Sequence, residues 1–137
     1  MTASRGLRNN NPGNIVKGAK WLGLAESQPD KRFCTFTEMK YGCRALLKLV
    51  RTYYLKYHLN TVAKIINRWA PSNENDTQAY ISFVAKSLGV GNTQAIDLIN
   101  DPDKLIALSK AISVRENGNE AKTVISDAIW QEAYKLI

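Results

Sequence analysis

From Gly42 to the C-terminus the chain keeps a three-and-four spacing of apolar residues, cut at intervals by Pro71, Gly89, Pro102 and Gly118. A period of 3.6 gathers such residues on one helical face, and proline and glycine end helices. Most of the chain is thereby committed to α-helix. Cys43, Leu46, Leu47, Val50 and Tyr54 mark a helix over about 39–57. Val62, Ile65, Ile66 and Trp69 mark a second, starting at Asn60 or Thr61 and stopped by Pro71. A third is expected after Asp76 or Thr77, either of which is a good N-cap. Tyr80, Ile81, Val84 and Leu88 form its face, and Gly89 is its left-handed terminator. Thr93 is expected to cap a short helix containing Ile96 and Ile99. Asp101-Pro102 reads as a cap followed by proline at the first helical position. That helix carries Leu105, Leu108, Ile112 and Glu116, and Gly118 ends it. A last helix is expected over about 120–136.

Residues 1–37 lack this period. They hold Gly6, Gly13, Gly18, Gly23, Pro12 and Pro29, the composition of turns. Ile15-Val16 and Trp21-Leu22 flank Lys17-Gly18-Ala19-Lys20, and Arg32-Phe33-Cys34-Thr35-Phe36 follows, which suggests a small hairpin or irregular β-region. There is no internal repeat or low-complexity run. The expectation is one mostly α (α+β) domain over residues 1–137, with about six helices and a small N-terminal β-region.

Charge narrows the partner. The chain carries a net charge of +7, with a pI of about 9.5. Such a balance favours an anionic partner: nucleic acid, a membrane surface or a wall polymer. The Lys and Arg residues are scattered rather than gathered on one helix face, which counts against nucleic acid. Cys34 and Cys43 form no CxxC pair and His58 is the only histidine, so no metal site is expected. No glycine-rich phosphate loop is present, and no cofactor is implied. Two reduced thiols are expected in preference to a disulfide. The N-terminus has no apolar signal-peptide core, and no run of about 20 apolar residues could span a membrane.

Three carboxylates draw notice. Leu105, Leu108, Ile112 and Glu116 share one helical face, so Glu116 stands one turn beyond the core positions. Partial burial and the negative end of the helix dipole both disfavour an ionised carboxylate there, the bias a general acid needs. A solvated helix end accounts for the same spacing. Glu74 precedes a helix start and could face Glu116 or pair with Arg68, or be a solvated loop acid. Glu38 stands before the first long helix, where the dipole alone favours an acid. The stretch RNNNPGNIVKGAKWLG supplies Asn10, Asn11 and Asn14 as short-reach amides and Trp21 as an aromatic plane. Amides and an aromatic face suit an N-acetylated sugar. With Arg5, Arg8, Lys17 and Lys20 they also suit a single-stranded nucleic acid. Asn and Gly are ordinary turn residues as well.

GLRNNNPGNI, Trp21-Leu22-Gly23, RFCTF, YGCRALLKLVRTY, RWAPSNENDT and AISVRENG, in this order, resemble a family of small phage and prophage proteins. Some of these are virion structural proteins, and others are regarded as murein-degrading lysins of lysozyme-like or lytic-transglycosylase-like fold. LIALSKAISVRENG looks like the helix that carries the catalytic glutamate of goose-type lysozymes and transglycosylases. NNNPGNIVKGAKWLG looks like a segment of flagellar-type glucosaminidases, where it follows the catalytic glutamate; here it precedes it. The order resembles a circular permutation of a lysozyme-like core.

The resemblance implies a peptidoglycan-degrading glycosidase acting on the β-1,4 bond between N-acetylmuramic acid and N-acetylglucosamine. Glu116 would be the general acid. Glu74, then Glu38, would be the second carboxylate that a hydrolase needs. A transglycosylase needs none, since the muramyl C6 hydroxyl can attack. Asn10, Asn11, Asn14, Trp21 and Asn117 would bind substrate. A monomer is expected, carried in a virion or held in the host cytoplasm until release to the periplasm. A non-catalytic virion or wall-binding protein and a basic nucleic-acid binder are the alternatives.

Overall fold

The computed structural model describes residues 3–70 and 74–137; the side chains of Glu74 and Asn75 lie outside that description. Seven helices stand among the described residues: α1 Arg5–Arg8, α2 Met39–Tyr57, α3 Val62–Trp69, α4 Glu74–Leu88, α5 Pro102–Asn117, α6 Glu120–Val124 and α7 Asp127–Lys135. The chain divides into two compact units. One is Met1–Lys48 with Ile112–Ile137, and the other is Leu49–Ala111. The unit boundaries fall inside α2 and α5.

The first unit buries Leu7, Ile15, Phe36, Cys43, Leu46, Leu47, Ile112, Ile125 and Trp130. Each large aliphatic side chain so buried contributes roughly 1.5–3 kcal/mol. Among the described residues the expected β-region is present as isolated bridges, antiparallel between Val16 and Phe33 and between Leu24 and Phe36, and parallel between Lys17 and Ala19. Regular strands do not develop because side chains take over the backbone pairing. Gln28 donates to the carbonyls of Ala25 and Thr35 and accepts from Thr35 N–H. Asp30 accepts from the N–H groups of Arg32 and Phe33. Cys34 and Cys43 are separate buried thiols, and burial pushes both up in pKa.

The C-terminal segment is two helices rather than the expected one. Thr123, Val124 and Ile125 are β-branched and poor helix formers in sequence. Ser126 then caps α7, accepting from Ile129 N–H at 3.3 Å.

The second unit packs α3 against α4 and buries Val62, Ile65, Ile66, Ile81, Val84, Leu105 and Leu108. Thr61 caps α3, accepting from Lys64 N–H at 3.1 Å. α4 begins at Glu74, before either expected cap. Thr77 is instead inside its first turns, buried, with its hydroxyl donating to the Ala70 carbonyl at 2.6 Å. Gly89, at φ 70°, closes α4 with paired bonds from Val90 N–H to Ala85 and from Gly89 N–H to Lys86.

The helix expected at Thr93–Ile99 is absent; that segment is turns and irregular chain. Asp97 explains it. Its carboxylate accepts from the N–H groups of Ile99 and Asn100 and from the Asn100 amide, which satisfies the backbone without a helix. The same bonds, led by that from Asn100 N–H, hold its pKa below the usual carboxylate range. At the unit's exposed edge Arg68 stacks over Tyr57 at 3.8 Å and Tyr53 at 5.1 Å.

α5 departs from the one-sided helix that its spacing suggests. From Leu105 to Val114 every residue except Ala107 and Lys110 is buried, the two serines included. Helices buried all round lose their amphipathic signature. Beyond Val114 the chain emerges in the last turn, at Arg115, Glu116 and Asn117.

Candidate active site

Gly118 ends α5 in the left-handed region, φ 83°, with its N–H on the Val114 carbonyl at 2.7 Å. The turn before it is fastened from three directions by Asn117. Its Nδ2 donates to the Ser113 carbonyl at 2.9 Å and to the Pro12 carbonyl at 2.8 Å, and its Oδ1 accepts from the Ser4 hydroxyl at 2.6 Å. Ser4 is also the N-cap of α1. One side chain therefore joins the end of α5, the start of α1 and the Pro12 turn. Glu116, its half-buried neighbour, is fixed by the same fastening.

Asn14 meets Glu116 from 102 positions away in the chain, with Nδ2 donating to Glu116 Oε1 at 3.0 Å. The loop that delivers Asn14 is held from within. Asn11 is fully buried. Its Nδ2 donates to the carbonyls of Ile15 and Cys34, and its Oδ1 accepts from Ile15 N–H. Asn10 and Asn14 both adopt positive φ, 52° and 50°, a conformation asparagine tolerates better than most residues. Asn10 donates from Nδ2 to the Phe36 carbonyl at 3.0 Å.

Two glycines permit the close packing. A Cβ on Gly6 would meet Asn117 Oδ1, and would lie 2.8 Å from both the Asn11 carbonyl oxygen and Asn14 Oδ1. A Cβ on Gly42, in the first turns of α2, would strike the Asn10 carbonyl. Gly23 combines φ 83° with the Tyr41 ring lying against it, which accounts for the glycine after Trp21 and the tyrosine before Gly42.

Asparagines 10, 11 and 117 thus spend amide bonds on the chain itself and hold the loop, and Asn14 holds the acid. Trp21 is half-buried, with its Nε1 buried and unpartnered. Among the described residues Asn14 Oδ1 is the other buried side-chain polar atom without a partner. Glu38 is exposed immediately before α2, the favourable end of that helix's dipole. The Glu74 side chain lies outside the described residues.

Sequence reasoning missed Ser4, Gly6, Asn9 and Asp30. Asn9 is buried, donates to Asp30 and accepts from the Thr35 hydroxyl. Asp30 accepts both forks of Arg5 at 2.7 Å. The Arg5 guanidinium, then the Phe33, Arg32 and Asn9 donors, holds the Asp30 carboxyl far below its usual range. No local signal in the sequence marks Ser4, Gly6, Asn9 or Asp30, since residues 1–37 carry no helical period and the partners of Gly6 and Asp30 lie elsewhere in the chain.

Among the described residues no cluster of three His, Cys, Asp or Glu side chains could hold a metal ion, and no helix is long and apolar enough to cross a membrane. No family model matches the chain. It is 42% identical over 125 residues to Protein P5 of Pseudoalteromonas phage PM2, an alignment that covers 88% of this chain and 76% of that protein. At that identity and coverage, the chain belongs to the family of the phage PM2 Protein P5.

Proposed function

We propose that this protein is a peptidoglycan-degrading glycosidase of lysozyme-like fold. It cleaves the β-1,4 bond between N-acetylmuramic acid and N-acetylglucosamine, with Glu116 as general acid. The observation that carries the reading is the bond from Asn14 to Glu116 at 3.0 Å. It joins the two most distinctive stretches of the sequence, RNNNPGN and RENG, at one carboxylate. That carboxylate stands on the last turn of a buried helix, where a catalytic group is held to a narrow range of positions. Glu116 donates its proton to the glycosidic oxygen as the bond to the leaving sugar breaks. Trp21 offers the aromatic face for a sugar ring, while Asn10, Asn11 and Asn117 keep the loop and helix end in place. The net charge of +7 suits an anionic wall. Kinship with a phage protein supports action on a bacterial host envelope, delivered by the virion or at lysis.

Purified protein should clear a suspension of chloroform-treated Gram-negative cells, and Glu116→Gln should reduce the rate by roughly 100-fold or more, the usual worth of a general acid. Equal clearing by the variant would remove Glu116 from the reaction. Binding to murein without release of fragments would make the protein a wall-binding component instead. Mass spectrometry of the fragments separates the two outcomes of bond cleavage: 1,6-anhydro ends for internal attack by the muramyl C6 hydroxyl, and reducing ends for water.

A further inference from the structure

The amide of Asn14 has two different ends. Its Nδ2 donates to Glu116 Oε1 at 3.0 Å. Its Oδ1 is buried without a donor and stands beside Gly6, where the Asn11 carbonyl oxygen and Asn117 Oδ1 also converge. Three oxygens are thus gathered about one Cα. Asn117 Oδ1 already has the Ser4 hydroxyl at 2.6 Å, and the Asn11 carbonyl has Asn14 N–H at 3.1 Å. Each keeps a second lone pair. An oxygen among oxygens is the costly orientation of this amide, since a buried acceptor without a donor costs about 1–3 kcal/mol.

Turning the amide by half a rotation exchanges Oδ1 and Nδ2 with almost no change of shape. Nδ2 would then face the oxygens beside Gly6, and Oδ1 would face Glu116. Two oxygens confront each other at Glu116 if the carboxylate is ionised. If it is protonated, the carboxylic O–H donates to Asn14 Oδ1 and both ends of the amide are satisfied. Ionised Glu116 therefore selects one orientation and protonated Glu116 the other.

We propose that the Asn14 amide turns over with the protonation state of Glu116, donating to the carboxylate and accepting from the carboxylic acid. This makes Asn14 a positioning residue that holds the acid in both states. The turnover rests on geometry; its catalytic meaning rests on the reading of Glu116 as the general acid. No atoms are exchanged except the solvent proton that Glu116 gains or gives up. Charged groups on the segments that form the cluster include Arg5 and Arg8 of α1, with Arg5 held by Asp30, Lys17 beyond the Asn14 loop, Lys110 and Arg115 of α5, and Glu120 and Lys122 of α6.

The test is NMR of the isotope-labelled full-length protein over a pH series that carries the Glu116 Cδ signal through its whole change. It follows Glu116 Cδ together with the nuclear Overhauser contact between the Asn14 Nδ2 hydrogens and the Gly6 α-hydrogens. In the wild type that contact should be weak at the high end and strong at the low end, with the same midpoint as Glu116 Cδ. In Glu116→Gln its intensity should no longer follow pH. A contact unchanged through the Glu116 titration overturns the proposal, as does one that still follows pH in Glu116→Gln. The measurement needs no substrate. Loss of the glycosidase reading in the clearing assay would therefore leave the turnover standing, and a failed turnover would leave that reading standing.

Discussion

Gly6 shows what a single residue contributes to the candidate site. It lies in α1, and no positive φ demands a glycine there, so alanine would suit the helix itself. The demand comes from the Asn117, Asn11 and Asn14 oxygens packed against its Cα. Gly6→Ala should therefore destabilise the protein by about 1–3 kcal/mol through overpacking, measured by urea denaturation, and should weaken the bond from Asn14 to Glu116. Asp30 gives a prediction of a different kind. Its carboxyl is held below its ordinary value, chiefly by Arg5. A depressed carboxyl stabilises the fold above its unfolded value of about 3.9, and that stability drains away as pH falls. Asp30→Asn should accordingly be less stable than the wild type at neutral pH and converge with it as pH drops below about 4. Thermal unfolding across that range checks the convergence; parallel curves would remove Asp30 from the acid limb. Neither residue could be singled out from sequence, because the partners of Gly6 are five to 111 positions away and those of Asp30 include residues 25 positions away. The apolar spacing did place Glu116 at an emerging helix end. Its contact with Asn14 was not legible, since short-range periodicity carries no information about which loop meets which helix.

At the scale of elements, legibility tracked the kind of signal. α2 matches its expected range because a long, regular apolar period fixes it, and α3 begins just after Thr61, one of its two expected starting positions, which serves as its cap. α5 runs between Pro102 and Asn117 as the Asp101-Pro102 and Gly118 punctuation requires. The failures lie where polar side chains compete with the backbone: Asp97 replaces a short helix, and Gln28 and Asp30 replace strand pairing. The break between α6 and α7 belongs with them. Ser126 offered a cap signature in mid-segment, which a purely apolar reading passed over. Ser126→Ala should cost about 1 kcal/mol by removing the acceptor for Ile129 N–H. Thermal denaturation measures it. An unchanged midpoint would mean that packing of the buried Trp130 and Ala133 alone sets α7.

For the whole molecule, the dominant fact is the excess of 19 Lys and Arg over 12 Asp and Glu, a net charge of +7. Ion pairs cancel one charge of each sign and leave that excess whole. Arg5 with Asp30 and Lys40 with Glu132 are such pairs among the described residues. The remaining field acts at long range, so it should govern approach to an anionic polymer more than the bond-breaking step. Salt screens such a field, with a Debye length of about 10 Å at 0.1 M and about 30 Å at 0.01 M. The rate of wall clearing at low substrate should therefore fall several-fold between about 0.01 M and 0.1 M salt. At saturating substrate, where approach no longer limits, the rate should change little. Cleavage of a short, uncharged N-acetylglucosamine oligomer should be nearly insensitive to salt under both conditions. If clearing and oligomer cleavage respond alike, the positive charge is not guiding the encounter, and its role lies in binding the released fragments or in solubility alone.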